Sequence, residues 1–196
     1  MSTSPTSAET TALLLESPRR LSVVEYHRMI ETGILDEDER LELLEGVIVA
    51  MSPQKDRHAW PIEYLTRLLV RALGDAYRVR AQLPITLGRS NEPEPDLAVA
   101  RAGPRTKGRH PRTALLVIEV ADDSLRKDRT VKAALYARFR VSEYWIVNVE
   151  AEVVEVFTDP RPRSGVYGRV RTVGKRDTLV SESLPEVSLP VRALFS

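Results

Sequence analysis

Leu115-Leu116-Val117-Ile118-Glu119-Val120 sets a single carboxylate inside an otherwise apolar run. An unbroken stretch of Leu, Val and Ile suits a central β-strand buried on both faces. An acid within it is costly to bury unless a cation pairs with it. Upstream, Pro95-Asp96 opens a second short strand, Leu97 to Ala100. Side chains alternate along a strand, so Glu119 shares a face with Leu115, Val117 and Ala121. With Asp96 at the start of a neighbouring strand, the two carboxylates can converge on one divalent ion. Mg²⁺ or Mn²⁺ fits, because both prefer oxygen ligands and keep several waters. Such an ion polarises a phosphoryl oxygen and activates water, which is the chemistry of phosphodiester hydrolysis.

Working outward, residues 1–17 are rich in Ser, Thr and Ala without a periodic apolar face, and read as a disordered N-terminal arm. Residues 18–196 read as one domain. Ser22 followed by Glu25 is a capping-box pattern, and Val23, Val24, Tyr26, Met29 and Ile30 give the following helix an apolar side that Gly33 ends. Leu41 to Leu44, Glu45-Gly46 and Val47 to Ala50 read as a β-hairpin. From His58 to Leu73 apolar residues recur at helical spacing, with Pro61 in the first turn and Gly74 as the stop. Strands are expected over Tyr77 to Ile85, Leu97 to Ala100, Leu115 to Val120, Glu143 to Val149 and Val153 to Thr158, and a strand pair between Val166 and Leu179. A helix is expected over Asp128 to Arg140, and Leu194-Phe195 as a terminal anchor. The element order predicts an α/β domain with a mixed central sheet flanked by helices.

The chain has 196 residues, enough for a substantial core, and a formal charge of +1 that neither supports nor excludes a nucleic-acid partner. It has no cysteine, which removes disulfides, thiolate metal sites and cysteine nucleophiles and leaves oxygen and imidazole ligands. No segment has the roughly 20 apolar residues of a membrane span, and the N-terminus lacks a leader pattern. A cytoplasmic location without membrane partners is therefore expected. The loop between Arg101 and Arg112 also carries Arg105, Lys107 and Arg109, with no acid among them. It reads either as a solvated connection or as a holder of the DNA backbone.

The segments EPDLAVA, LLVIEVADDS and DRTVKAALYARFRVSEYWIVN resemble, in order and spacing, the Uma-two family of restriction endonucleases, part of the PD-(D/E)XK nuclease superfamily. LELLEGVIVAMSP and His58 resemble that family's opening hairpin and the start of its next helix, and LPEVSLPVRALF its closing segment. The likeness runs from about Pro18 to the end. It implies a restriction-endonuclease-like core, Mg²⁺ or Mn²⁺ as cofactor, and DNA as substrate. It further implies Asp96 and Glu119 as metal ligands, Glu42 completing the metal shell, and His58 near phosphate or a metal-held water. The superfamily's lysine two residues after Glu119 is replaced by Ala121, and the resemblance transfers its role to Lys132. Asp128, Lys132 and Tyr136 then form one helical stripe beside Val131 and Leu135. Asp122-Asp123 and Asn148 depart from many relatives, away from these residues. A homodimer is expected by analogy, since cutting both strands usually needs two sites.

Read singly, each residue has a plainer alternative. Asp96 can be a turn former, Glu119 can pair with an arginine, and Lys132 can be an exposed partner of Asp128. Glu42 can face solvent and His58 can merely begin a helix. Two other functions therefore stay open: a nucleic-acid-binding or assembly module without turnover, and a nuclease acting on RNA or branched DNA.

Overall fold

The computed structural model describes residues 18–36, 38–51, 56–103 and 110–195. The expected arm, residues 1–17, lies outside these residues, as do Arg105, Lys107 and Arg109 of the basic loop.

Helix α1 (Val23–Glu31) begins at the expected capping box, in which the Ser22 side chain accepts from the Glu25 N–H and the Glu25 carboxylate accepts from the Ser22 N–H. Its inner face buries Val23 and Tyr26 against Leu43, while Val24 is exposed. Strands β1 (Leu41–Leu44) and β2 (Val47–Ala50) form the hairpin. Glu45 and Gly46 both have positive φ, at 52° and 74°, the backbone that a tight two-residue turn demands. Gly46 is needed for a second reason: a Cβ there would lie 2.6 Å from that of Arg20.

Helix α2 (Asp56–Leu73) precedes strands β3 (Tyr77–Ala81) and β4 (Leu97–Arg101). It already runs at Asp56, so Pro61 sits inside the helix instead of in its first turn. Strand β3 ends four residues before the expected Ile85, because Gln82 adopts a left-handed φ of 50° and turns its N–H to the Asp96 carbonyl. Next come β5 (Leu116–Ala121), helix α3 (residues 125–138), β6 (Glu143–Asn148), β7 (Val153–Arg161) and β8 (Val166–Gly174). Short strands β9 (Thr178–Val180) and β10 (Ser188–Pro190) pair with each other. The expected strand pair within 166–179 is thus not a pair, since β8 returns along β7. A 3₁₀ turn at Val191–Leu194 buries Leu194 in the core.

Among the described residues the main sheet has six strands in the order β3-β4-β5-β6-β7-β8. Only β5 and β6 run parallel. Parallel neighbours require a crossover, and α3 supplies it. One sheet face packs Leu116, Ile118 and Val120 against Leu65 and Leu69 of α2. The other packs Ala98, Val117, Ala121 and Ile146 against Leu135, Tyr136 and Ala137 of α3. Each fully buried Leu or Ile contributes about 1.5–3 kcal/mol, so both faces of β5 are anchored and its register is fixed. Tyr144 and Trp145 of β6 are fully buried packing groups. Among the described residues no helix is long and apolar enough to cross a membrane.

Candidate active site

The site lies on the α3 face of the sheet, where β5 leads into α3. Glu119 points to that face with Val117 and Ala121, as strand alternation requires. Asp96 immediately precedes β4, and its Oδ2 accepts the Val120 N–H at 2.8 Å, which fixes it beside Glu119. Its Oδ1 lies 2.9 Å from His58 Nε2 of α2.

Helix α3 is not a uniform α-helix. Leu125–Lys127 is α-helical, Asp128–Lys132 forms a π turn, and Ala133–Arg138 returns to α-helix. The Ala133 N–H reaches back to the Asp128 carbonyl, five residues away, which marks the wide turn. π bulges insert one residue into the helical register and often occur at functional sites. Here the wide turn leaves Asp128 and Lys132 buried and Val131 exposed, so the expected apolar stripe of Val131 and Leu135 is broken.

Lys132 Nζ donates to Glu119 Oε1 at 2.9 Å, and the Tyr136 hydroxyl donates to the same oxygen at 2.7 Å. Lys132 Nζ is also 3.2 Å from Glu42 Oε2, close enough for an ion pair but without hydrogen-bond geometry. Lys127 Nζ holds the other oxygen of Glu42 at 2.8 Å. Glu42 is fully buried, which overturns its solvent-facing alternative, and Lys132 is only 3% exposed and paired away from Asp128.

Charge in this cluster is unevenly compensated. Glu42, Asp96, Glu119 and Asp128 are all buried, and Lys132 is the buried cation among them. Burial raises the Glu119 carboxyl to about 8; Lys132 pulls it down, while Asp128, Asp96 and Glu42 push it further up. Burial likewise raises Asp128. For Glu42 burial acts in the same direction, but the Lys132 and Lys127 ammonium groups outweigh it and hold the carboxyl below its ordinary value. Lys132 stays protonated, since Glu119, Glu42 and Asp128 outweigh the cost of its burial.

Two oxygens stand out against this background. Asp128 Oδ1 is buried without a hydrogen-bond partner, although Ser124 donates to Oδ2 at 2.5 Å. Glu119 Oε2 has no hydrogen bond to any described residue, both contacts of that carboxylate being made by Oε1. Both residues line a recess of about 40 Å³ together with Asp96, His58, Glu94 and Lys132. That volume admits an ion or a water but no nucleotide, so a polymer could present only a phosphate at its rim. Among the described residues no three of His, Asp or Glu are gathered closely enough to coordinate an ion together. Mg²⁺ often takes only one or two carboxylates and keeps its waters, and the free oxygens of Glu119 and Asp128, with Asp96 beside them, fit that mode.

The structure thus brings Asp96, Glu119, Lys132, Glu42 and His58 into one cluster. It adds Lys127, Asp128, Glu94 and Tyr136, to which the sequence reading gives no role. The Ser124 to Asp128 spacing was a usable signal for Asp128, and Glu94 directly precedes Pro95. Nothing in the sequence signals that Lys127 and Lys132, five apart, share one glutamate. Glu143 of β6 is the instructive contrast. It is also fully buried, but Trp145, Ser181 and Ser183 donate to its two oxygens, and it is a satisfied structural acid. The other histidines lie apart from the cluster: His27 contacts Glu92, and His110 contacts Arg80.

Comparison with known proteins agrees with this architecture. The model of the Uma2 family, described as "Putative restriction endonuclease", matches residues 23–192. Among solved structures, a putative nuclease belonging to DUF820 from Anabaena variabilis superposes with a TM-score of 0.69. It is 17% identical, and the match covers 84% of this chain and 95% of that one, so it speaks for the fold. No curated protein matches the chain.

Proposed function

Because the chain belongs to the Uma2 family of putative restriction endonucleases, we propose that it is a nuclease that hydrolyses DNA phosphodiester bonds with the help of Mg²⁺ or Mn²⁺. The observation that carries this reading is the recess in which oxygens of Glu119 and Asp128 lack partners beside Asp96 and a buried, charged Lys132.

In this reading Asp96 and Glu119 would hold the metal, and the unpartnered oxygen of Asp128 would accept a hydrogen bond from a water in the recess. A bound divalent ion supplies Lewis-acid polarisation of the phosphoryl oxygen. Each Asp96 oxygen is oriented by one contact, His58 or the Val120 N–H, and retains a further lone pair for a ligand. His58 is therefore a positioning residue. Lys132 places a fixed positive charge at the rim, where it orients the attacking water or offsets negative charge growing on the phosphoryl group. Glu42, with both oxygens against ammonium groups, positions Lys127 and Lys132 instead of ligating metal.

A test is cleavage of supercoiled plasmid DNA by purified protein with Mg²⁺ or Mn²⁺, set beside Glu119→Gln and Asp96→Asn. The proposal expects cleavage that needs the ion and is lost in both variants. Cleavage unchanged in both would refute the assignment. A second reading, a nucleic-acid-binding module without turnover, is favoured by the way Lys132 engages both Glu42 and Glu119. It predicts DNA binding in EDTA that survives Glu119→Gln, with no cleavage by the parent protein.

A further inference from the structure

A second feature stands on the same face of the sheet and takes no part in the cluster above. A cavity of about 550 Å³ at the far ends of β3 and β4 is lined by Arg78, Arg80, Arg101, Arg112 and His110, with Ala100 among its apolar lining residues. Among the described residues no carboxylate lines it. Elsewhere arginines meet acids, as in Arg129 with Glu155, Arg138 with Glu45 and Arg169 with Glu182. Among the described residues the four cavity arginines have no ion-pair partner.

The polar contacts these arginines do make are with neutral groups. Arg78 donates to the Gly103 carbonyl, and Arg80 donates to the Pro84 carbonyl at 3.1 Å and lies 3.2 Å from His110 Nδ1. Arg101 lies over the Tyr77 ring. Arg80 Nε is buried with no partner. Burial, and Arg78 beside it, push the Arg80 guanidinium below the ordinary arginine range, the mark of a cation lacking a counter-charge. Guanidinium groups gathered without acids match phosphate oxygens, which they bind in bidentate fashion.

Register ties the cavity to the candidate active site. Arg78 pairs with Ala100 and Arg80 with Ala98, and Ala98 pairs with Val117. Directly paired residues share a face and alternate residues repeat it. Arg78, Arg80, Asp96 and Glu119 therefore rise from one side of the sheet. From Asp96 to Ala100, the residue opposite Arg78, the chain advances about 13 Å, at roughly 3.3 Å per residue. A nucleic-acid strand advances about 3.4 Å per nucleotide, so the two places are about four nucleotides apart.

We propose that the arginine cavity binds backbone phosphate of the DNA duplex, about four nucleotides from the phosphate presented to Asp96 and Glu119. The inference rests on the nuclease reading for the identity of its ligand. Such binding carries no sequence information; it anchors the duplex and sets its path across β3 and β4.

Fluorescence anisotropy with a labelled 20-base-pair duplex, in EDTA and across a series of NaCl concentrations, tests the inference. Arg112 is exposed and Arg78 half-buried, so the variants are Arg112→Ala, Arg78→Ala and their double, with Arg163→Ala in the β7–β8 turn as control. Removing one phosphate-binding cation lowers the salt slope by about one. The double variant is expected to bind roughly tenfold or more weakly, with a slope lower by about two, and Arg163→Ala to match the parent. Circular dichroism verifies folding, and Arg112→Ala alone still reports should the double unfold. Unchanged affinity and slope in the variants would overturn the inference. So would binding of inorganic phosphate, or of a mononucleotide, as tight as that of the duplex. Glu119→Gln is assayed alongside: loss of its cleavage with unchanged duplex affinity separates the anchoring surface from the chemistry. A salt slope that falls in the arginine variants while Glu119→Gln still cleaves would sink the catalytic assignment and leave this inference standing.

Discussion

Lys132→Met removes the buried cation that touches Glu119 Oε1 at 2.9 Å and Glu42 Oε2 at 3.2 Å. The two acids respond differently. Glu42 keeps Lys127 at 2.8 Å, whereas Glu119 is left with the Tyr136 hydroxyl at 2.7 Å. With Lys132 present, burial already holds the Glu119 carboxyl at about 8, and Lys132 is the cation that pulls it down. Glu119 is thus largely neutral at pH 7 already, and stays so without Lys132. Breaking a buried ion pair from one side typically costs about 3–5 kcal/mol. Neutralisation of Glu119 keeps the expected loss near the lower end, about 3 kcal/mol. For a chain of this size each kcal/mol moves Tm by about 2–4 °C, so Tm should fall by about 6–12 °C in EDTA at pH 7. Glu119→Gln keeps an acceptor for Lys132 and should cost about 1 kcal/mol. The double variant should then be more stable than the sum of the two losses allows, by about 1–3 kcal/mol. Thermal denaturation followed by circular dichroism measures all four proteins. A Lys132→Met protein melting within 2 °C of the parent (roughly 1 kcal/mol or less), or strict additivity, would refute the reasoning.

Other expectations probe the surroundings. The Ser22 N–H, the Ser22 hydroxyl and Arg19 hold the Glu25 carboxyl down to about 2. Its folded value lies below the unfolded value of about 4.3, so Glu25 stabilises the fold above that pH and the contribution is lost as pH falls through about 2. Carboxyl NMR titration should place its midpoint near 2 in the parent and higher in Ser22→Ala, which loses the hydroxyl but keeps the backbone N–H; an ordinary midpoint in the parent would count against the capping box. Gly46→Ala forces a side chain onto a φ of 74° and within 2.6 Å of Arg20 Cβ; it should cost about 1–3 kcal/mol in urea denaturation, and a neutral result would contradict the turn geometry. Tyr136→Phe removes one of two donors to Glu119 Oε1 and should cost about 1–2 kcal/mol by the same measurement, less than Lys132→Met; the reverse order would mean that the hydroxyl, not the ammonium, holds that acid.

What could be read directly from the sequence was whatever depends on short-range pattern. The capping box at Ser22 and Glu25, the Glu45-Gly46 turn and the apolar run around Glu119 each encode their structure within a few residues. Asp96 and Glu119 were legible as a pair because strand alternation constrains where each side chain can go. The π turn at Asp128–Lys132 was not, since helical spacing assumes a constant register and the bulge shifts it between Lys127 and Ala133. That shift places Lys127, Asp128, Lys132 and Tyr136 together around two glutamates from different strands. Nor was the departure of the chain from β3 at the left-handed Gln82 legible, or the extent of β8, which returns onto β7 as a hairpin through the short turn at 162–165. Glu119 and Glu143 look alike as acids in buried strands, and only the donors around each tell the structural one from the candidate ligand.

The central claim is that oxygens at the head of β4 and within β5 receive a divalent ion. Crystals soaked in MnCl₂ and measured at a wavelength where manganese scatters anomalously address it directly. The account predicts an anomalous peak in the recess between Asp96 and Glu119, within ligand distance of both, that vanishes in Glu119→Gln. An empty recess in crystals where manganese binds elsewhere, or a peak untouched by the substitution, would contradict it.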